Sequence, residues 1–110
     1  MKLGIIRCTQ TEDYCAGTSD FKAIRDHKGV FEGVDEDIEI IGFANCGGCP
    51  GKNVVLRTRM LLNRGADTIA LASCINKGTP LGYPCPHAEK LQELVEKNLP
   101  EGVRFFEHTH

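Results

Sequence analysis

The sequence predicts a single α/β domain built on a four-stranded parallel sheet with flanking helices. Three observations carry that expectation. Four short apolar runs rich in β-branched or aromatic residues recur along the chain, helix-like segments lie between them, and 110 residues suffice for one core but not for two. Strands and helices that alternate at these lengths call for right-handed crossovers, which leave successive strands parallel. One domain is therefore expected over residues 1–110.

The first strand is expected at Leu3 to Arg7 (LGIIR). A helix follows over Ser19 to Lys28: Thr18, Ser19 and Asp20 are cap-type residues, Phe21 and Ile24 share a face, and Gly29 stops it. The second strand is Ile38 to Phe43, and the second helix Val54 to Asn63, with Val54, Val55, Leu61 and Leu62 apolar and Gly65 as its C-terminal stop. Thr68 to Ala72 is the third strand. The third helix spans Pro86 to Asn98, where Pro86 suits a first turn, Ala88, Leu91, Leu94 and Val95 form the apolar face, and Pro100 ends it. Val103 to Glu107 closes the sheet, for which the flavodoxin-like order 2-1-3-4 is expected. Thr9 to Thr18 and Ile75 to Cys85 are the longest irregular pieces.

Composition removes several function classes. A formal net charge of −2 and a pI near 6.1 provide no basic field for nucleic acid or anionic lipid, and no basic run interleaves with aromatics. Only four apolar or small residues separate Lys2 from Arg7, which is neither a signal-peptide core nor a membrane span. The expected location is the cytosol, with no nucleic-acid and no membrane partner.

That location changes the meaning of the six cysteines, Cys8, Cys15, Cys46, Cys49, Cys74 and Cys85. In a reducing compartment such a density points to metal, cluster or redox chemistry ahead of a disulfide framework. On the predicted frame, Cys8 follows strand one, Cys46 and Cys49 strand two, Cys74 strand three, and His108 with His110 strand four. All lie at the C-terminal edge of a parallel sheet, where loops converge and ligands bind.

Cys46 and Cys49 form a CxxC whose spacing lets two thiolates reach one ion from a tight turn; Gly47 and Gly48 permit positive φ, and Pro50 starts the next helix. The positive end of that helix would favour thiolate, which serves a metal ligand and a redox nucleophile equally. Two decoys fail. A phosphate-binding loop would need glycine where Cys46 stands and Ser or Thr where Asn53 stands. A phosphatase loop would need the planar fork of arginine where Lys52 stands.

The run NCGGCPG (Asn45 to Gly51), the segment LLNRGADTIALASC (Leu61 to Cys74), the CPH at Cys85 to His87 and the closing EHTH (Glu107 to His110) together resemble the CGGC domain family, to which metal binding is ascribed. The resemblance spans nearly the whole chain. It implies a cysteine- and histidine-rich site, zinc first, at Cys8, Cys46, Cys49, Cys74, Cys85 and His110, and it implies no particular reaction. Cys15 matches less securely.

The leading expectation is thus a transition metal, zinc first, held by Cys8, Cys46, Cys49 and Cys74, with Cys85 or a histidine as alternates. A thiol redox protein is the alternative, with Cys46 as exposed nucleophile and Cys49 resolving it; an iron–sulfur cluster on four of the thiolates is another. Plainer roles stand beside these. Cys74 fits a small core residue, Cys15 a surface thiol, and His87 either a ligand beside Cys85 or a surface group. His27 reads as a solvated helix-end residue, and paired terminal histidines also occur as tag remnants.

Overall fold

A computed structural model describes residues 1–80 and 82–110. Four strands, β1 (Lys2–Arg7), β2 (Glu39–Asn45), β3 (Thr68–Leu71) and β4 (Arg104–Phe106), form one parallel sheet in the order β2-β1-β3-β4, as the sequence predicts. The central strand β1 and its neighbour β3 read as almost continuous apolar runs because both faces are covered: Leu3, Ile5, Ile6, Ile69 and Leu71 are fully buried. Burying each such side chain contributes about 1.5 to 3 kcal/mol.

Four helices connect the strands: α1 (Thr18–Asp26), α2 (Val54–Asn63), the single turn α3 (Ser73–Asn76) and α4 (Ala88–Lys97). Helix α2 packs on β1 and β2 and against α4. It approaches the sheet closely because Gly4 and Gly42 carry no side chains beneath Leu61; a Cβ at Gly42 would stand 2.6 Å from Leu61 Cδ2. The apolar face of α4 is as expected, with Leu91 and Val95 buried and Ala88 and Leu94 half-buried.

Four boundaries differ from expectation. Helix α1 is preceded by Gly17 in the left-handed region at φ 83° and has no side-chain cap, so Thr18, Ser19 and Asp20 lie inside its first turn. It ends at His27, itself at φ 52°, whose Nδ1 donates to the Val34 carbonyl at 2.7 Å, before Gly29 is reached. Pro50 does not start α2: turn residues occupy positions 50–53 and the helix begins at Val54. Helix α4 likewise begins at Ala88, beyond Pro86. The irregular piece expected over 75–85 includes position 81, which lies outside the described residues. Among the described residues no helix is long and apolar enough to cross a membrane.

Candidate metal centre

At the C-terminal edge of the sheet a cleft of about 490 Å³ is lined by Cys8, Cys49, Cys74 and Cys85, together with Gln10, Thr11, Tyr14, Tyr83, Pro84, Pro86 and His87. Each cysteine arrives on a different segment. Cys8 is the first residue after β1, and its backbone amide donates to Cys74 Sγ at 3.3 Å. Cys74 stands in the first turn of α3, directly beyond β3, so the two central strands deliver this buried pair. Cys85 is brought in by its amide, which donates to the Ile75 carbonyl at 2.8 Å, and its sulfur accepts the His87 amide at 3.4 Å. Cys49 comes from the turn after β2 and is exposed.

Cys46 does not line the cleft. It is 3% exposed, and its sulfur lies 3.4 Å from Thr9 Oγ1. The expectation that Cys46 is the exposed member of the CxxC is therefore corrected: Cys49 is exposed and Cys46 buried. The reason lies in the turn. Gly47 has φ 80°, and a Cβ there would meet Asn53 Cβ at 2.5 Å, so the backbone folds back on itself and turns the second cysteine outward. The start of α2 at Val54 also removes the argument that a helix N-terminus directly at Pro50 activates the pair.

Asn45, the last residue of β2, anchors this turn. Its Oδ1 accepts from the Gly47 amide at 2.8 Å, from Arg57 Nη1 of α2 at 3.0 Å and from Thr9 Oγ1 at 3.1 Å, while its Nδ2 donates to Glu12 Oε1 at 2.6 Å. One amide thus joins the loop after β1, the turn after β2 and helix α2. Sequence reasoning quoted Asn45 inside the motif but gave it no role, because a short polar side chain before a turn looks the same whether it faces water or a network. Tyr14, Tyr83, Gln10 and Thr11 were also missed, since residues in irregular loops carry no periodicity that assigns them a direction.

Burial pushes the thiols of Cys8, Cys74 and Cys85 above the usual cysteine value. Backbone amides pull the other way: those of Gln10 and Thr11 act on Cys8, that of Cys8 on Cys74 and that of His87 on Cys85. The thiolates also repel one another, with Cys46 and Cys49 raising Cys8 and all three of Cys8, Cys49 and Cys46 raising Cys85. A cation would reverse that last effect, turning mutual repulsion into shared attraction.

The donor set suits a soft or borderline metal in kind. In spacing it is open: among the described residues, no three Cys, His, Asp or Glu side chains stand close enough together to hold an ion. His87 lines the cleft beside Cys85. Cys15 does not; its sulfur accepts the Gly17 amide at 3.4 Å and its carbonyl accepts from Arg7. His110 is also elsewhere, with Nε2 3.7 Å from Oδ1 of the buried Asp20, which accepts a hydrogen bond from Thr109. The His110 amide donates to Ser73 Oγ at 2.9 Å, so the chain end contacts the cysteine-bearing turn α3 through Ser73, next to Cys74.

Fold and site together define a small α/β domain with a thiol-lined cleft at the C-terminal strand edge. The chain belongs to the CGGC domain family, whose sequence profile matches residues 2–110. It is 36% identical over 107 residues to the uncharacterized protein MJ0582 of Methanocaldococcus jannaschii, covering 92% of this chain and 79% of that protein. A second protein of the same organism, the uncharacterized MJ0766, is 36% identical over 53 residues, which are 47% of this chain and 76% of that one. No solved structure matches the chain.

Proposed function

We propose that the protein binds a transition metal, zinc first, through the thiolates of Cys8, Cys49, Cys74 and Cys85. The observation that supports this reading best is that four cysteines from four separate segments line one cleft. Cys46, close enough to raise the Cys8 thiol, is the alternate ligand; His110 would join only if the chain end left Asp20. The family supports metal binding in general. Free thiols in this number fit a reducing compartment, and the reading assigns the protein to the cytosol.

The test is elemental analysis of protein purified without a histidine tag or added metal, paired with a melting curve before and after chelation. Bound zinc near one ion per chain, with a lower melting temperature after chelation, is the expected result. Metal-free protein whose melting is unchanged by added zinc would refute it.

One observation favours a second reading. An exposed Cys49 beside a buried Cys46 is the arrangement of a dithiol redox pair, with Cys49 attacking and Cys46 resolving. In metal-replete protein this reading makes Cys49 the fastest thiol toward a disulfide reagent, whereas metal binding makes it slow until a chelator is added. An iron–sulfur cluster on the same thiolates would announce itself as a brown colour on anaerobic purification.

A further inference from the structure

The two edges of the sheet differ. β4 is three residues long and opens on the exposed Arg104, which pairs with Glu36; so short and charged a strand offers little to a further one. β2 is seven residues long, and Ile40 to Asn45 carry no charge and no proline. Among the described residues no strand lies beyond it. Ile41 bulges from the ladder with β1, so the regular part is Gly42 to Asn45. The Cys46 amide donates inward to the Arg7 carbonyl at 2.8 Å, and because backbone groups alternate along a strand, those of Phe43 and Asn45 face outward.

Exposed apolar surface gathers beside this edge. Among the described residues six large apolar side chains are exposed; Tyr14 and Tyr83 stand at the cleft, and the other four flank β2. Ile40 is on the strand, and Phe21 stacks on Phe43 with ring centroids 5.1 Å apart. Met60 of α2 lines a groove with Ile41 and Phe43, and Leu56 is one turn from Met60. Such a concentration marks an interaction surface. Charge changes sign along the strand. Asp35, Glu36, Asp37 and Glu39 lie at its start, and among the described residues only Glu36 of these has an ion-pair partner. At its end stand Arg57, bonded to Asn45, and Arg7, 5.2 Å over the Phe43 ring, with Lys52 in the following turn; Glu12, also bonded to Asn45, offsets one of these charges.

We propose that this edge binds a second copy of the chain, β2 against β2, antiparallel about a two-fold axis at Phe43, which joins two four-stranded sheets into one. The charges select the direction. Antiparallel pairing sets the acidic end of each strand beside the basic end of the other, whereas a parallel arrangement would set like against like. The axis places the outward amide and carbonyl of Phe43 opposite their own copies, so each bonds the other. The apolar residues that flank the edge are covered in both copies at once, because a two-fold interface uses one patch twice.

Sedimentation equilibrium of the full chain over about 1 to 100 µM measures its mass against the 12.1 kDa of one copy. The expected result is a dimer with a dissociation constant in the micromolar range, weakened by salt. Ile40→Lys and the double reversal Asp37→Lys/Glu39→Lys, all at exposed positions, should each raise that constant roughly tenfold or more. The first puts a charge on the edge; the second turns attraction into repulsion. Melting curves check that both variants fold. Hydrogen exchange of the wild type locates the contact: the Phe43 and Asn45 amides should exchange more slowly as concentration rises. A chain that stays monomeric at the highest concentration, a dimer that either folded variant leaves intact, or protection confined to amides away from β2 would overturn the proposal.

Discussion

The amide of Cys8 donates to the sulfur of Cys74 at 3.3 Å, so the backbone leaving β1 supports a side chain delivered by β3. An N–H aimed at a sulfur favours its thiolate, and here it acts against the burial that keeps the same thiol protonated. The balance at Cys74, and likewise at Cys8 and Cys85, is a raised thiol value.

Metal uptake should therefore release protons. Because those three thiols hold their protons to higher pH than free cysteine, apparent affinity should rise steadily from about pH 6 to pH 8. Competition titrations against a chelator of known pH behaviour measure this; an affinity flat across that range would mean that these thiols are not ligands.

Serine substitutions should divide the cysteines. Cys74→Ser or Cys49→Ser should weaken metal binding by two orders of magnitude or more, because serine oxygen is a poor soft-metal ligand, roughly 3 kcal/mol. Cys15→Ser should leave affinity within about threefold, since its sulfur bonds Gly17 outside the cleft. Equal losses at all three positions would contradict the cleft as described.

Asn45→Ala should destabilise the fold by about 2 to 3 kcal/mol, because the Gly47 amide, Arg57, Thr9 and Glu12 lose their common partner at once. Asn45→Asp should not rescue it, since a carboxylate would face Glu12 Oε1 where the amide nitrogen now donates. Urea titration of the three proteins decides this. Gly47→Ala should cost at least about 1 kcal/mol by forcing a side chain into the left-handed region against Asn53.

His108 makes the fold acid-sensitive. Among the described residues its buried Nδ1 has no hydrogen-bond partner, and desolvation, with Lys77 nearby, lowers its value below the ordinary imidazole one. The unfolded chain then binds more protons than the native one over a window beginning near pH 6.5, so stability is retained above that window and falls as pH drops through it. His108→Gln should flatten this part of the curve in chemical denaturation at graded pH.

Much of the architecture could be read from the sequence because the strands carry continuous buried runs and the helices a regular period: β1 to β4 lie where LGIIR, IEIIGF, TIALA and VRFFE stand, and α2 covers the apolar-periodic run Val54 to Asn63, although Pro50 does not open it. The start of α1 could not, because Thr18 to Asp20 look like caps but sit behind Gly17, whose left-handed backbone already ends the preceding turn. The cysteines were traceable to one sheet edge by counting from strand ends. Depth was not. Whether Cys46 or Cys49 points inward depends on how Gly47 turns the chain against Asn53, a relation that spacing alone does not reveal. Cys85 was only an alternate ligand because its place follows from a hydrogen bond that its amide donates to the Ile75 carbonyl across an irregular loop.

The dispersal of the cleft over positions 8 to 87 bears on how the protein comes into being. The central strand β1 emerges first from the ribosome but has to wait for β3, 65 residues later, before both its edges are paired, as Leu3 with Thr68 shows. A nascent chain halted just before Cys74 owns four thiols, Cys8, Cys15, Cys46 and Cys49, and no place to gather them. At that stage the sulfurs are loose and separate, and only a chain that already carries Cys74 and Cys85 can present the four together. Gathering of the four cleft thiols is in this way tied to synthesis past Cys85, and the order of translation sets when the cleft can exist.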